Sequence, residues 1–260
     1  MFGSILTKKK TKKKERHTKK SHSFFLANWL GSDIAIDLGT ANIIVYVKNK
    51  GVVVNEPAVI AVDKNTNKVI AIGKEAQAML ERTPKHIDAY HPMHNGVIAD
   101  YDATEYMLRY FIRKAIGNAL FFKPRVIICV PSSVTNVERR AVMEAAMQAG
   151  ARKTVVMEEP LAAAIGAGLD IASSNGSMVV DMGGGTTDVA VLSLSGIVIS
   201  ESLRIGSNTF DEAIITYLEK IKHVTIGRHT AEELKKLIGT ALSDGRSLTA
   251  DVRGRSLETG

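Results

Sequence analysis

The chain has 260 residues, 45% of them hydrophobic and 23% charged. That is material for one large domain or two smaller ones, and unlike a disordered, collagen-like or fibrous chain. One cysteine, Cys129, excludes an internal disulfide framework and fits a reducing compartment. No apolar run reaches the ~18 residues of a spanning helix, and the N-terminus lacks the order of a secretory signal. Charge is unevenly divided. Residues 1–22 hold eight Lys and one Arg against one Glu, a net of +8, while the whole chain is +7, so the other 238 residues sum to −1. The sequence therefore carries a basic arm on a near-neutral fold, and no nucleic-acid partner is expected.

Residues 1–32 form that arm: a lysine block, then Ser21–Ser32, which contains Phe24, Phe25, Leu26, Trp29 and Leu30. Its composition suits a solvated tail or contact with an anionic membrane through lysines and inserted aromatics. Asp33–Val47 then reads as strand, tight turn, strand, with Ile34, Ile36 and Leu38 alternating with Ala35 and Asp37 before Gly39-Thr40. Val52–Val54, Val59–Val62 and Val69–Ile72 are short strands, the first two separated by Asn55-Glu56-Pro57, and a short helix starts at Gly73. Tyr101–Leu120 carries an apolar stripe of helical period. Arg125–Val130 is a continuous apolar run suited to a buried strand. Thr135 or Asn136 caps a helix over Val137–Ala149, with Glu138 as a first-turn charge. Val155–Met157 and Pro160–Gly168 continue the strand–helix alternation.

The opening pattern then recurs. Val180-Asp181-Met182-Gly183-Gly184-Gly185-Thr186 repeats Ile36-Asp37-Leu38-Gly39-Thr40, an internal duplication that implies two similar domains facing each other. Glycines let backbone amides approach phosphate oxygens, and Thr40, Asn42, Thr186 and Thr187 add donors. Asp37 and Asp181 would repel phosphate directly, and make sense with Mg²⁺ and its water shell between carboxylates and phosphates. A P-loop is excluded because Gly73-Lys74 lacks its upstream glycine, and a dinucleotide fingerprint because Gly183–Gly185 precedes a strand. The seven histidines show no zinc-binding spacing, and Cys129 reads as a buried structural thiol.

The set of IAIDLGTAN, NEPAVIAV, PSSVTNVERRAV, EEPLAAAIGAG and DMGGGTTDVAVLSL resembles the bacterial actin homologue family MreB, in the superfamily of actin, heat-shock chaperones and sugar kinases. The resemblance covers about residues 33–260. It implies an α/β actin-like ATPase fold of two ribonuclease-H-like domains, with residues 33–163 as domain I, a small lobe inserted at about 52–93, and 164–260 as a partial domain II with a lobe at about 201–260. Against that pattern the second domain is incomplete: a last glycine-rich adenosine loop and a C-terminal helix are expected further on.

The resemblance also implies ATP–Mg²⁺ between the domains. Gly39, Thr40, Ala41, Asn42 and Ile43 correspond to the first phosphate loop, and Gly183, Gly184 and Gly185 to the second. Glu159 and Thr186 fall where the family positions and activates the attacking water, Asp37 and Asp181 at the metal side, and Glu232, Glu233, Leu234 and Lys235 on the helix that reaches the ribose and adenine. Ile43 stands where a hydroxyl is common, a mild change if only its amide is used. The implied function is a cytoplasmic, membrane-associated cytoskeletal ATPase. Its homopolymeric filaments organise cell-wall synthesis and rod shape, together with elongation membrane proteins at the inner face of the membrane. The alternative is an ATP-incompetent homologue that binds or caps filaments, and hydrolysis by this chain alone is not expected to be complete. The arm and Leu120-Phe121-Phe122 are the candidate membrane contacts.

Overall fold

The structure is a computed structural model that describes residues 33–80, 83–117, 123–242, 245 and 247–259. The arm at 1–32 and the apolar tip at 120–122 lie outside the described residues.

The first half opens with β1 (Asp33–Leu38), β2 (Asn42–Val47) and β3 (Gly51–Pro57). Next come β4 (Ile60–Asp63), β5 (Lys68–Ile72), α1 (Lys74–Gln77), β6 (Ile87–Tyr90), β7 (Met93–His94) and β8 (Val97–Ile98). It closes with α2 (Tyr101–Ile116), β9 (Arg125–Val130), α3 (Asn136–Gln148), β10 (Lys153–Glu158) and α4 (Glu159–Gly166). The main sheet has the order β10-β9-β1-β2-β3. Strands β1, β2 and β3 pair antiparallel, while β9 runs parallel to β1 and β10 parallel to β9.

The alternation in β1 does what its period requires. Ile34, Ile36 and Leu38 face the core with their cross-strand partners Val47, Val45 and Ile43. The stripe on α2 (Met107, Leu108, Phe111, Ile112) and the small face of α3 (Val142, Ala145, Ala146) cover them. Each such side chain contributes roughly 1.5–3 kcal/mol by leaving water. A satellite sheet, β5-β4-β6, has its own small core of Val59, Ala61, Ala71 and Ala76.

Two sequence boundaries move. Strand β3 runs through Asn55-Glu56-Pro57 rather than ending before them. It is the edge of its sheet, and an edge tolerates a proline that cannot donate. Helix α2 stops at Ile116, where Gly117 takes φ 62° and its N–H caps the Arg113 carbonyl. Glu138 does more than place a charge. Its amide donates to Thr135 Oγ1 (3.2 Å) and its carboxylate accepts from the Thr135 N–H (2.7 Å), a reciprocal capping box that starts α3.

The second half contains β11 (Ser177–Met182), β12 (Thr187–Ser193) and β13 (Gly196–Leu203), an antiparallel sheet in that order. Then follow α5 (Ser207–Tyr217), a π-helical turn (Leu218–Lys222), β14 (Val224–Thr225), α6 (Arg228–Ile238) and β15 (Arg255–Ser256). Helix α4 covers one face of this sheet, joining Leu161 and Ala164 to Val179, Ala190 and Leu192. The opposite face, with Met178, Val180, Met182, Ile199 and Leu203, is exposed. No helix among the described residues is long and apolar enough to cross a membrane.

Candidate functional site

The two glycine turns meet. A Cβ on Gly184 would lie 2.7 Å from Ala41 Cβ, and one on Gly185 would lie 2.8 Å from Thr40 Oγ1 and 3.0 Å from Asn95 Cα. None of Gly39, Gly183, Gly184 and Gly185 has positive φ, so at Gly184 and Gly185 close approach, not backbone conformation, demands glycine. Each turn is held from behind. Gly183 N–H donates to the Thr186 carbonyl (2.8 Å), and the Gly183 and Gly184 carbonyls accept from Ser207 and Asn208 N–H (3.0 and 2.9 Å). The N-terminus of α5 is thereby spent on the second loop. Thr40 Oγ1 accepts from Gly96 N–H at 3.0 Å. Among the described residues, the N–H groups of Thr40, Ala41, Gly184 and Gly185 make no hydrogen bond within the protein. Four uncommitted amides on two touching loops are the donor set that an anion requires.

The acids gather beside these loops. Asp37, near the end of β1, neighbours Cys129 on β9, and Asp181, near the end of β11, faces Asp188 across the hairpin. Glu159 is the first residue of α4, where β10 hands over to the helix. Removal from water pushes the Asp37 carboxyl up to about 6, and the Asp181 charge adds to this. Asp37 nevertheless remains exposed to solvent. The two facts agree for a group on a cleft floor, where surrounding protein displaces most of the water without closing the entrance. Burial, then Asp37, Asp188 and Asp181, pushes Glu159 up to about 8, outweighing the helix N-terminus that would lower it. Asp181 is raised by burial and then by Asp188. Cys129 is half-buried rather than buried as its sequence suggested; desolvation, then Asp37, Glu159 and Asp181, push its thiol up to about 12.

Like charges held together in a water-poor cleft call for a cation. No group of three or more His, Cys, Asp or Glu side chains among the described residues forms a metal cage. Mg²⁺ keeps several waters and takes one or two carboxylates plus phosphate oxygens. Asp37 and Asp181 fit that role.

The other sequence candidates divide. Thr186 is buried at the second loop. Asn42 opens β2 with an exposed side chain, whereas Ile43 is fully buried in the core, so only its backbone is available to a ligand. Glu232, Glu233, Leu234 and Lys235 lie on α6. Their charges are engaged locally: Lys235 pairs with Asp211 (2.7 Å) and donates to the Ser207 carbonyl (2.9 Å), Glu232 pairs with Lys236 (2.6 Å), and Glu233 with His229 (3.4 Å). Lys235 thus ties α6 to the same Ser207 whose amide holds the second loop.

Sequence reasoning missed three participants. Asp188 is buried behind the site, and the hairpin register opposite Asp181 was the available signal. The Asn95-Gly96 tip of β7–β8, with φ of 49° and 77°, wedges between Thr40, Thr186 and Pro131. His91 reads as a surface loop residue, but burial lowers its pKa; nothing in the local sequence announces that.

Residues 31–260 match the MreB/Mbl protein family. The cell shape-determining protein Mbl of Bacillus cereus is 48% identical over 228 residues, covering 88% of this chain and 68% of that protein. MreB of Escherichia coli is 50% identical over 234 residues, covering 88% and 67%. Among solved structures, MreB5 of Spiroplasma citri bound to ADP matches with a TM-score of 0.82 at 36% identity, covering 88% of this chain and 69% of that one. The same protein bound to AMPPNP gives 0.81 at 38%. The MamK double helical filament, at 19% identity and 0.64, shares the fold. Two matched glycine hairpins, the carboxylates between them and this pattern of likeness have one conclusion: the chain belongs to the MreB/Mbl family of actin-like cell-shape proteins.

Proposed function

We propose that this chain binds ATP with Mg²⁺ between its two glycine hairpins and acts as a subunit of membrane-associated cytoskeletal filaments that organise cell-wall synthesis and rod shape. The observation that carries the nucleotide reading is the meeting of two loops with uncommitted amides beside Asp37, Asp181 and Glu159. The Spiroplasma citri relative in its ADP and AMPPNP complexes supports it. Thr40, Ala41, Gly184 and Gly185 would hold phosphate oxygens through backbone amides. Mg²⁺, held through Asp37 and Asp181, would supply counter-charge to the acids and the phosphates. Glu159 would orient a water and accept its proton once Mg²⁺ offsets the neighbouring acids, and the Thr186 hydroxyl would help position that water. Glu232–Lys235 would flank the ribose and adenine.

Self-association, docking on the cytoplasmic face of the membrane through the 1–32 arm, and contact with cell-wall elongation proteins belong to the same reading; the names of the relatives support its cell-shape part. The exposed apolar face of β11–β13 favours a second reading, a module that binds or caps filaments of another family member.

Thermal unfolding with and without ATP–Mg²⁺ tests the proposal. A ligand at about 100 times its Kd stabilises by about 2.7 kcal/mol, an upward shift of about 5–10 °C for a fold of this size. Asp181→Ala is expected to abolish the shift. No shift at millimolar ATP–Mg²⁺ sinks the nucleotide reading and leaves the binding module.

A further inference from the structure

The two halves of the fold also touch behind the cleft, at the turn between β9 and α3. Asp188, on β12, is 1% exposed and lies directly opposite Ser202 on β13. Its Oδ1 accepts from the Ser132 N–H at 2.9 Å. The next residue, Ser133, donates through Oγ to Ser202 Oγ at 3.2 Å. Two consecutive residues of the first half therefore grip two cross-strand partners of the second, one contact part-buried and made to a carboxyl oxygen, the other exposed and between hydroxyls.

Local packing alone does not call for a carboxylate here. Asp188 makes no ion pair among the described residues, and the contact it makes here is one acceptor oxygen on a backbone amide. Its position suggests what it secures. Pro131, adjoining Ser132, packs against the β7–β8 tip: a Cβ on Gly96 would lie 2.5 Å from Pro131 Cγ and 3.1 Å from Thr186 Cγ2. The Gly96 N–H in turn holds Thr40 Oγ1. The Asp188 contact at Ser132 thus directly adjoins Pro131, the point where both glycine loops are braced.

We propose that Asp188 and Ser202 form a two-point clasp on Ser132 and Ser133, which pins the β9–α3 turn and sets the spacing of the two glycine loops. Asp188 is a positioning residue in this scheme, and its effect on nucleotide rests on the reading above. The clasp stays closed while the cleft admits its ligand.

The experiment follows Ser132 amide exchange and ATP–Mg²⁺ affinity in the full chain. Asp188→Ala is expected to speed exchange at Ser132 at least tenfold and to weaken nucleotide at least tenfold. Asp188→Asn, which keeps an acceptor oxygen, is expected to restore slow exchange and to recover affinity to within threefold. Unchanged exchange in Asp188→Ala, or no rescue by Asn, overturns the clasp. If the parent chain binds no nucleotide, the nucleotide reading fails, while the exchange rates still decide the contact. Should Asp188→Ala not fold, the double variant Ser133→Cys with Ser202→Cys is oxidised instead. The disulfide is expected to form and to leave Tm and affinity at or above parental values. Failure to form it, or a tenfold loss of affinity on locking, overturns the proposal.

Discussion

The same hairpin occurs twice, in opposite surroundings. In β1, Ile34, Ile36 and Leu38 are 2%, 0% and 3% exposed; their counterparts in β11, Met178, Val180 and Met182, are 64%, 58% and 57% exposed. Both strands alternate with period two, and both end in Asp and a glycine turn. The first lies inside a five-stranded sheet, with parallel β9 on its far edge and α2 and α3 over its apolar face. The second is the edge of a three-stranded sheet, covered by α4 on the other face only. The turn chemistry is thus local and survives the change of setting. Burial is conferred by neighbours and cannot be read from the strand.

The sharpest test compares equivalent truncations. Ile36→Ala removes a fully buried side chain from a close-packed layer and should cost about 2–5 kcal/mol in urea unfolding. Val180→Ala, at the matching position, should cost under about 0.5 kcal/mol. Equal losses would mean that the second face is covered in solution.

The loop contacts give the next effect. Gly185→Ala would press a Cβ against Thr40 Oγ1 and the Asn95 backbone, and should destabilise by about 1–3 kcal/mol. Gly166→Ala, at the end of α4 with open space around it, should stabilise by about 0.5–1 kcal/mol. Reversal of these signs in thermal melts would break the account of the touching loops.

The acid cluster predicts a pH dependence. Glu159 and Asp37 have folded pKa values raised to about 8 and about 6 from ordinary values of 4.5 and 3.8. The folded state therefore binds protons more tightly than the unfolded one. Their contribution is fully present below about pH 4 and is lost as pH rises through 6 and 8. Without nucleotide or Mg²⁺, the chain should lose stability between pH 5 and 8.5, and Glu159→Gln should flatten that slope and stabilise at pH 8 by about 1–2 kcal/mol. A slope unchanged in Glu159→Gln would remove Glu159 from the cluster.

The smallest effect concerns the helix starts. Thr135→Ala breaks the capping box of α3 and should cost about 1 kcal/mol. Thr209→Ala removes only a 3.4 Å contact from the Gly206 N–H at the start of α5, and should cost less than half as much by urea midpoint.

The sequence was informative where a residue's role depends on its immediate neighbours. Asp37-Leu38-Gly39 and Asp181-Met182-Gly183 announced their turns, since glycine and a preceding acid at a strand end fit few other purposes. The stripe on α2 announced its buried face, because period alone decides which side chains line up. Thr135 announced a cap. Tertiary structure decided the rest. It showed that Gly184 and Gly185 are required by the approach of Ala41 and Thr40, over 140 residues earlier in the chain. It showed that Ile43 faces the core, that Lys235 is held by Asp211 and Ser207, and that Asp188 reaches across to Ser132. Such contacts depend on which surfaces the packed sheets bring together, and no local pattern of residue types encodes that. Likewise the alternation of β11 specified a two-faced strand, and only the arrangement of helices and strands around it determined that one face meets α4 and the other meets water.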